Sequence, residues 1–276
     1  MRMPIRFRKL QKNLHKLLRS GSAGGRAMKT VLITGGSEGI GYALAECFAE
    51  DHYRILLAAR NIEKLNQASK KLQNTYHAET AVYSIDLSAL GNAEQLYRQI
   101  REDGYQVDVL VNNAGIGFLG RSWEIPIEAD ERLTILNDTS LMTLTKLALK
   151  DMLASGKGEI INISSTGAFQ PGPYIASYYA SKVFVEYYTR AAAEEVKHTG
   201  VRVYCYCPGP VDTAFYPKSG GKKPFGAMSA EQAAEYVYKH RGSRCMIIPG
   251  FLNQITRIVP TDLRMKAILL MKKKTL

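Results

Sequence analysis

The feature that most constrains this chain is an apolar run that ends abruptly in glycines. Thr30-Val31-Leu32-Ile33-Thr34 is rich in β-branched residues, Gly35-Gly36-Ser37-Glu38-Gly39-Ile40-Gly41 follows, and residues 42–49 continue with amphipathic helical spacing. That order reads as a buried parallel strand, a tight turn and a helix. Glycine is needed at such a turn because it adopts positive φ at little cost and lets a ligand approach the main chain. The helix start offers unpaired N–H groups and the positive end of its dipole, which suits a pyrophosphate. The spacing 35, 39, 41 departs from the common G-x-G-x-x-G dinucleotide fingerprint, so the place of the turn between strand and helix carries the inference.

The same alternation continues along the chain. Apolar runs at residues 54–59, 80–85, 107–111, 158–163, 201–207 and 245–248 read as strands. Helical patterns fill residues 62–73, 89–103, 127–153, 174–198 and 230–239. Regular alternation implies an α/β fold with a doubly wound parallel sheet, Rossmann-like and in a single domain. The 276 residues suffice for one such domain. The expected organisation is a basic extension and linker over residues 1–28, the domain over 29–250, and a basic tail over 251–276.

Charge is confined to the ends. Of the net +12, residues 1–28 carry +8 and residues 257–276 carry +5, so the body is close to neutral. No continuous basic face remains, and a nucleic-acid partner is not expected. The leader sets Met3, Phe7, Leu10, Leu14, Leu17 and Leu18 at helical spacing among Arg and Lys. It reads first as a disordered, solvated extension and second as an amphipathic helix for an anionic membrane surface. For residues 263–271 and the lysines after them, packing against the domain stands ahead of contact with lipid. Neither a secretory signal nor a transmembrane span is visible, so a cytoplasmic protein, at most weakly peripheral at the membrane, is expected. Cys47, Cys205, Cys207 and Cys245 form no C-x-x-C pair and read as core thiols, and no metal site is expected.

Five motifs in register over about residues 29–250 resemble those of the short-chain dehydrogenase/reductases. Thr34-Gly35-Gly36-Ser37-Glu38-Gly39-Ile40-Gly41 is similar to the family's TGxxxGxG, Asn112-Asn113-Ala114-Gly115 to its NNAG, and Tyr178-Tyr179-Ala180-Ser181-Lys182 to its YxxxK. Ser165, thirteen residues before Tyr178, stands at the family's serine position, and Asn137 at its helical asparagine position. Pro208-Gly209 followed by Thr213 resembles the PG motif with its nicotinamide-binding threonine. The resemblance implies a catalytic set of Asn137, Ser165, Tyr178 and Lys182. It implies cofactor contacts from Gly35, Ser37, Gly39, Ile40, Gly41, Asp86, Leu87, Asn113, Ala114, Gly115, Pro208, Gly209, Val211 and Thr213, as well as from Tyr178 and Lys182. Lys182 would hold the nicotinamide ribose, and Asn137 would place a water linking Lys182 to solvent. A homodimer or homotetramer is implied in the same way.

The residues also speak for themselves. Tyr178 and Lys182 are four apart on a helix and share a face. A phenol of pKa about 10 exchanges protons poorly near neutrality, and a nearby ammonium favours its phenolate. In the reduction direction Tyr178 would protonate a carbonyl oxygen as hydride reaches the carbon, while Ser165 hydrogen-bonds that oxygen. Ser164 would point to the opposite face of the strand end, and Tyr179 has Val183 rather than a lysine four residues on.

Arg60, at the end of the second strand, stands where an NAD-preferring chain would carry an acid, so NADP is the expected cofactor and NADPH is preferred over NADH. Glu38 in the glycine turn weighs against this, since many NADP-using relatives are basic or neutral there. The expected activity is interconversion of a ketone and a secondary alcohol. Phe169, Tyr174, Phe215 and Tyr216 suggest an apolar pocket for a 3-oxoacyl, steroid or other carbonyl substrate, or else pack the core. Residues 218–228 read as a mobile lid. The alternative is a catalytically silent NADP-binding sensor of the same fold, which would typically lack the tyrosine or the lysine.

Overall fold

Apolar side chains that alternate along each strand decide the architecture, because successive residues point to opposite faces. The computed structural model describes residues 28–221, 226–255 and 258–273. Its strands are β1 (Thr30–Thr34), β2 (Arg54–Ala59), β3 (Thr80–Ser84), β4 (Val109–Asn112), β5 (Gly158–Ile163), β6 (Val201–Tyr206), β7 (Val211–Asp212), β8 (Met228–Ser229) and β9 (Met246–Ile247). Seven of them form one parallel sheet in the order β3-β2-β1-β4-β5-β6-β9, and β7 pairs with β8 apart from it. The helices are α1 (Gly39–Glu50), α2 (Ile62–Tyr76), α3 (Asn92–Glu102), α4 (Ile127–Thr134), α5 (Leu141–Ser155), α6 (Ala176–Glu195), α7 (Phe215–Lys218), α8 (Ala230–His240), α9 (Phe251–Ile255) and α10 (Thr261–Lys273). This is the doubly wound, Rossmann-like sheet that the alternation implies.

Two cores lie on the two faces of the sheet. Val31, Ile33, Ile55 and Leu57 pack with Leu44 and Phe48 of α1 and Val237 of α8. Leu32, Leu56, Leu110 and Ile160 pack on the other side with Leu96 of α3 and Leu144 of α5. Beside the second core runs a buried polar ladder. Asn112 Nδ2 donates to Thr145 Oγ1 (3.0 Å) and Asn162 Oδ1 (2.9 Å), and Asn162 Nδ2 donates to Thr189 Oγ1 (3.0 Å). The ladder joins β4, β5, α5 and α6, and its bonds offset much of the cost of burying these amides, although Asn112 Oδ1 is left without a partner.

The chain reverses direction across the sheet between β1 and β4, which are neighbours although β2 and β3 intervene in sequence. The turns after those two strands therefore flank the crevice where ligands of such sheets bind. The helix expected over residues 127–153 runs on to Ser155, but residues Ile135–Ser140 wind as a π-turn between α4 and α5. Such π-turns recur at functional sites.

The tail folds into α9 and α10, and α10 leaves Leu263, Lys266, Leu270 and Lys273 exposed while Arg264, Met265, Ile268 and Lys272 are half-buried. The leader and Lys274 lie outside the described residues, as do residues 222–225 of the expected lid. Among the described residues, no helix is long and apolar enough to cross a membrane, and no His/Cys/Asp/Glu group could hold a metal ion. Cys205 and Cys207 lie buried with sulfurs 3.6 Å apart, and all four cysteines are free.

Candidate active site

The glycine turn after β1 nests against the turn after β4. A Cβ on Gly41 would fall 2.4 Å from the Gly35 carbonyl oxygen and 2.5 Å from Asn113 Nδ2, so only glycine fits. Gly35 and Gly39 hold positive φ, at 64° and 59°. Thr34 Oγ1 accepts from the N–H groups of Asn113 and Ala114, each at 3.0 Å, and Asn113 Nδ2 donates back to the carbonyls of Thr34 (3.0 Å) and Gly35 (3.2 Å). Helix α1 then begins at Gly39, and its N-cap Glu38 makes no side-chain cap. Main-chain N–H groups at a bare helix start suit a pyrophosphate, so Gly35, Ser37, Gly39, Ile40 and Gly41 fit the dinucleotide expected of them.

Arg60 is exposed at the end of β2, where no acid stands. Glu38 does not confront a phosphate as an unpaired charge. Lys64 Nζ donates to its Oε2 at 2.8 Å, and Lys218 Nζ donates to its Oε1. Although burial opposes ionisation, these two lysines hold the Glu38 carboxyl below its usual value. Asp86 is likewise held low against burial, by the Ser88 hydroxyl and N–H and by Arg60 and Arg132. Leu87 beside it is buried, and its carbonyl accepts from Ser140 Oγ at 2.7 Å.

Three elements bring the expected catalytic set together. Helix α6 carries Tyr178 and Lys182 on one face, with Lys182 Nζ 5.5 Å from the centre of the Tyr178 ring. Lys182 Nζ donates to the Ile163 carbonyl at 2.9 Å. Burial pushes this lysine down to about 8, against the pull of Asp138. Burial pushes the Tyr178 phenol up, and the hydroxyl of Ser165 acts in the opposite sense. Burial thus acts against the lowering expected from the neighbouring ammonium.

Ser165 follows β5 and caps a short 3₁₀ turn, its Oγ accepting from the Gly167 N–H at 3.0 Å. Ser164 turns the other way and donates to the Lys182 carbonyl at 2.7 Å, fastening the strand end to α6. Asn137, inside the π-turn, donates to the Ile116 carbonyl (2.9 Å) and Ser181 Oγ (3.0 Å) and accepts from the Ile116 N–H (3.0 Å). A Cβ on Gly115 would come within 3.4 Å of both Asn137 Oδ1 and Lys182 Nζ, so Gly115, Asn137 and Lys182 share one corner.

On the far side of Tyr178 lies the segment after β6. The Phe215 ring sits 4.9 Å from that of Tyr178, and a Cβ on Gly117 would lie 2.9 Å from atoms of both rings. Thr213 Oγ1 accepts from the Phe215 N–H at 3.3 Å, and the Thr213 side chain lies 3.3 Å from where a Cβ on Gly39 would sit. Thr213 thus spans from the glycine turn to the ring over Tyr178. Pro208 accepts from the Thr166 N–H at 2.9 Å, Gly209 lies against Asn253, and Val211 is buried in the β7–β8 pair. Tyr174 holds a positive φ of 65°, and Tyr216 packs edge-on to Phe215. Phe169, half-buried, packs against Cys205, Cys207 and Ile248 and also lines a surface cleft with Gln170, Pro171 and Tyr179.

Two residues escaped the sequence reading. Asp138 follows Asn137 in the π-turn; burial pushes its carboxyl up to about 6 despite Lys182, and its Oδ1 is buried without a hydrogen-bond partner. An acid in an otherwise apolar helical stretch was the available signal. Arg264, on α10, reaches the loop after Ser165, and no motif marks it.

Comparison with known proteins agrees with this geometry. The sequence profile described as short chain dehydrogenase matches residues 29–223. A very-long-chain 3-oxoacyl-CoA reductase of Mus musculus is 31% identical over 255 residues, covering 89% of this chain and 80% of the relative. A short-chain dehydrogenase from Sphingobium yanoikuyae in complex with NADPH superposes with TM-score 0.79 at 26% identity, over 87% of this chain and 95% of that one. L-Sorbose reductase from Gluconobacter frateurii, complexed with NADPH and L-sorbose, superposes with TM-score 0.72 at 25% identity, over 81% and 95%.

Proposed function

The chain belongs to the short-chain dehydrogenase/reductase family, and on that premise we propose that it reduces a ketone to a secondary alcohol with NADPH. The observation that carries this reading is the meeting of Tyr178, Ser165, Lys182 and Asn137 at the carboxyl end of the sheet. A phenol raised by burial is fully protonated near neutrality, which is the form an acid needs. Tyr178 gives that proton to the carbonyl oxygen. Ser165, whose lone pair is taken by the Gly167 N–H, directs its own proton toward the same oxygen and stabilises the charge that develops there. Lys182, which faces Tyr178, would hold the nicotinamide ribose, and Asn137 secures the turn at residues 115–116 beside it.

NADPH, when bound, supplies the hydride. Gly35, Ser37, Gly39, Ile40 and Gly41 would hold its pyrophosphate, Asp86 and Leu87 its adenine, and Pro208, Gly209, Val211 and Thr213 its nicotinamide end, with Asn113, Ala114 and Gly115 also in contact with it. Arg60 would pair with the 2′-phosphate, and the Glu38 charge, already held by two lysines, offers little repulsion. The name of the mouse relative puts a 3-oxoacyl thioester first among candidate substrates, and the rings of Phe215 and Tyr216 support an apolar chain. The reading extends to a homodimer or homotetramer, to a cytoplasmic location, and to weak contact between the basic ends and anionic lipid. Sedimentation and vesicle binding test these.

NADPH consumption with a panel of ketones, including 3-oxoacyl thioesters, tests the activity. Turnover is expected; NADPH binding without turnover on any of them would overturn the reading in favour of a silent sensor.

A further inference from the structure

Arg264 lies beyond residues 29–223, which match the family profile, yet it reaches back 95 residues in sequence to the loop behind Ser165. Its Nη1 donates to the Phe169 carbonyl at 2.5 Å and to Gln170 Oε1 at 3.4 Å, and its Nη2 donates to Thr261 Oγ1 on its own helix at 3.1 Å. Gln170 Nε2 in turn donates to the Thr166 carbonyl at 3.3 Å, and the Thr166 N–H donates to the Pro208 carbonyl at 2.9 Å. Residues 165–170 are therefore held from two sides, by the end of β6 and by α10. The Phe169 side chain is fixed as well, against Cys205, Cys207 and Ile248.

This loop matters because of one amide. The Gly167 N–H donates to Ser165 Oγ, and a hydroxyl has a single proton to place. With one lone pair so engaged, that proton is left for an acceptor on another side, and Tyr178 is the neighbouring phenol whose ionisation Ser165 favours. A loop free to drift moves the Gly167 N–H and with it the direction of the hydroxyl. A guanidinium is suited to holding such a loop, since its planar fork lets Nη1 meet the Phe169 carbonyl and the Gln170 amide while Nη2 is anchored on Thr261 of its own helix.

We infer that Arg264 is a positioning residue, whose guanidinium fixes residues 166–170 and thereby aims the Ser165 hydroxyl, so that α10 sets the efficiency of the chemical step. The inference rests on the reading of Ser165 as the hydroxyl that stabilises the carbonyl oxygen.

The test uses the full chain with R264M, R264K, S165A and the double variant R264M/S165A. Steady-state ketone reduction, NADPH titration and amide hydrogen exchange over residues 166–170 are measured on each. R264M should lower kcat about tenfold with KM and NADPH affinity within about twofold, and should speed exchange in the loop. R264K, which keeps the charge but not the fork, should fall between R264M and the wild type. In the S165A background, R264M should cost nothing further. Unchanged exchange and kcat in R264M would overturn the inference, and so would an equal loss with and without Ser165. Should R264M fail to fold, R264K carries the same comparison, and wild-type exchange and kcat in R264K would overturn it. Should the wild type reduce no ketone, the functional reading fails, while loop exchange still decides whether Arg264 holds the loop.

Discussion

Lys218 and Glu38 are 180 residues apart in sequence and meet as an ion pair, joining the short helix over Tyr178 to the glycine turn. Lys64 occupies the other oxygen of the same carboxylate. One acid thus ties the segment beside the reacting centre to the turn that would receive the cofactor.

Both members of this pair are partly exposed, so it is worth about 0.2–1 kcal/mol. Lys218→Met is expected to raise the KM for ketone about two- to fivefold at low ionic strength. The difference from wild type should vanish near about 1 M salt, where the Debye length is about 3 Å. Kinetics at the two salt concentrations check this, and an unchanged KM at low salt would show that the pair does not hold the segment.

Tyr178→Phe removes the hydroxyl proposed as the proton donor and leaves the ring against Phe215. A fall in kcat of about 100- to 10,000-fold is expected, with NADPH affinity by fluorescence titration unchanged. Ser165→Ala should lower kcat by about 100- to 1,000-fold. Wild-type turnover in the phenylalanine variant would place the acid elsewhere.

Arg60→Ala should weaken NADPH binding by roughly 1.5–3 kcal/mol and leave NADH little changed, because only the former offers a 2′-phosphate to the guanidinium. Calorimetric titration with both cofactors decides it. An equal loss for each would mean that Arg60 does not distinguish them.

Lys182 makes stability depend on pH. Its value falls to about 8 in the fold from an ordinary 10.5, because burial disfavours the ammonium. Below about 8 the lysine is charged in both states, and the penalty on the folded state is present in full. Between about 8 and 10.5 the unfolded chain still binds the proton that the folded one has lost, so stability rises with pH by up to about 3 kcal/mol. The difference in unfolding free energy between wild type and Lys182→Met, followed across that window without cofactor, isolates this group from the tyrosines that titrate higher. A difference flat in pH would contradict the burial of a charged lysine.

Much of this was legible in the sequence, for identifiable reasons. Val31, Leu32 and Ile33 declare a two-faced strand because neighbouring residues must enter different cores. Gly35 and Gly41 declare a close approach because no other side chain fits. Tyr178 and Lys182 share a helix face by spacing alone. The π-turn was not legible, since one extra residue in a turn barely disturbs an apolar pattern around Asn137. Nor were the contacts of Glu38 with Lys218 and of Arg264 with Phe169. Each joins segments that the fold alone brings together, through single charged residues that elsewhere on a surface would be solvated. The sequence reading treated Glu38 as a mark against NADP because a carboxylate viewed alone is a free charge.

The ladder from Asn112 to Thr189 has a consequence for how the two halves of the site keep step. Asn112 immediately precedes Asn113, which braces the glycine turn, and Asn162 lies three residues before Ser165; the two asparagines are paired across β4 and β5. If either strand slid by one residue, Asn112 would stand opposite Ile161 or Ile163 in place of Asn162, and buried donors would be stranded. An all-apolar interior would resist such a slip far less. The ladder acts as an alignment key: it sets how far along the sheet the glycine turn stands from Ser165, and it does so from beneath the proposed site.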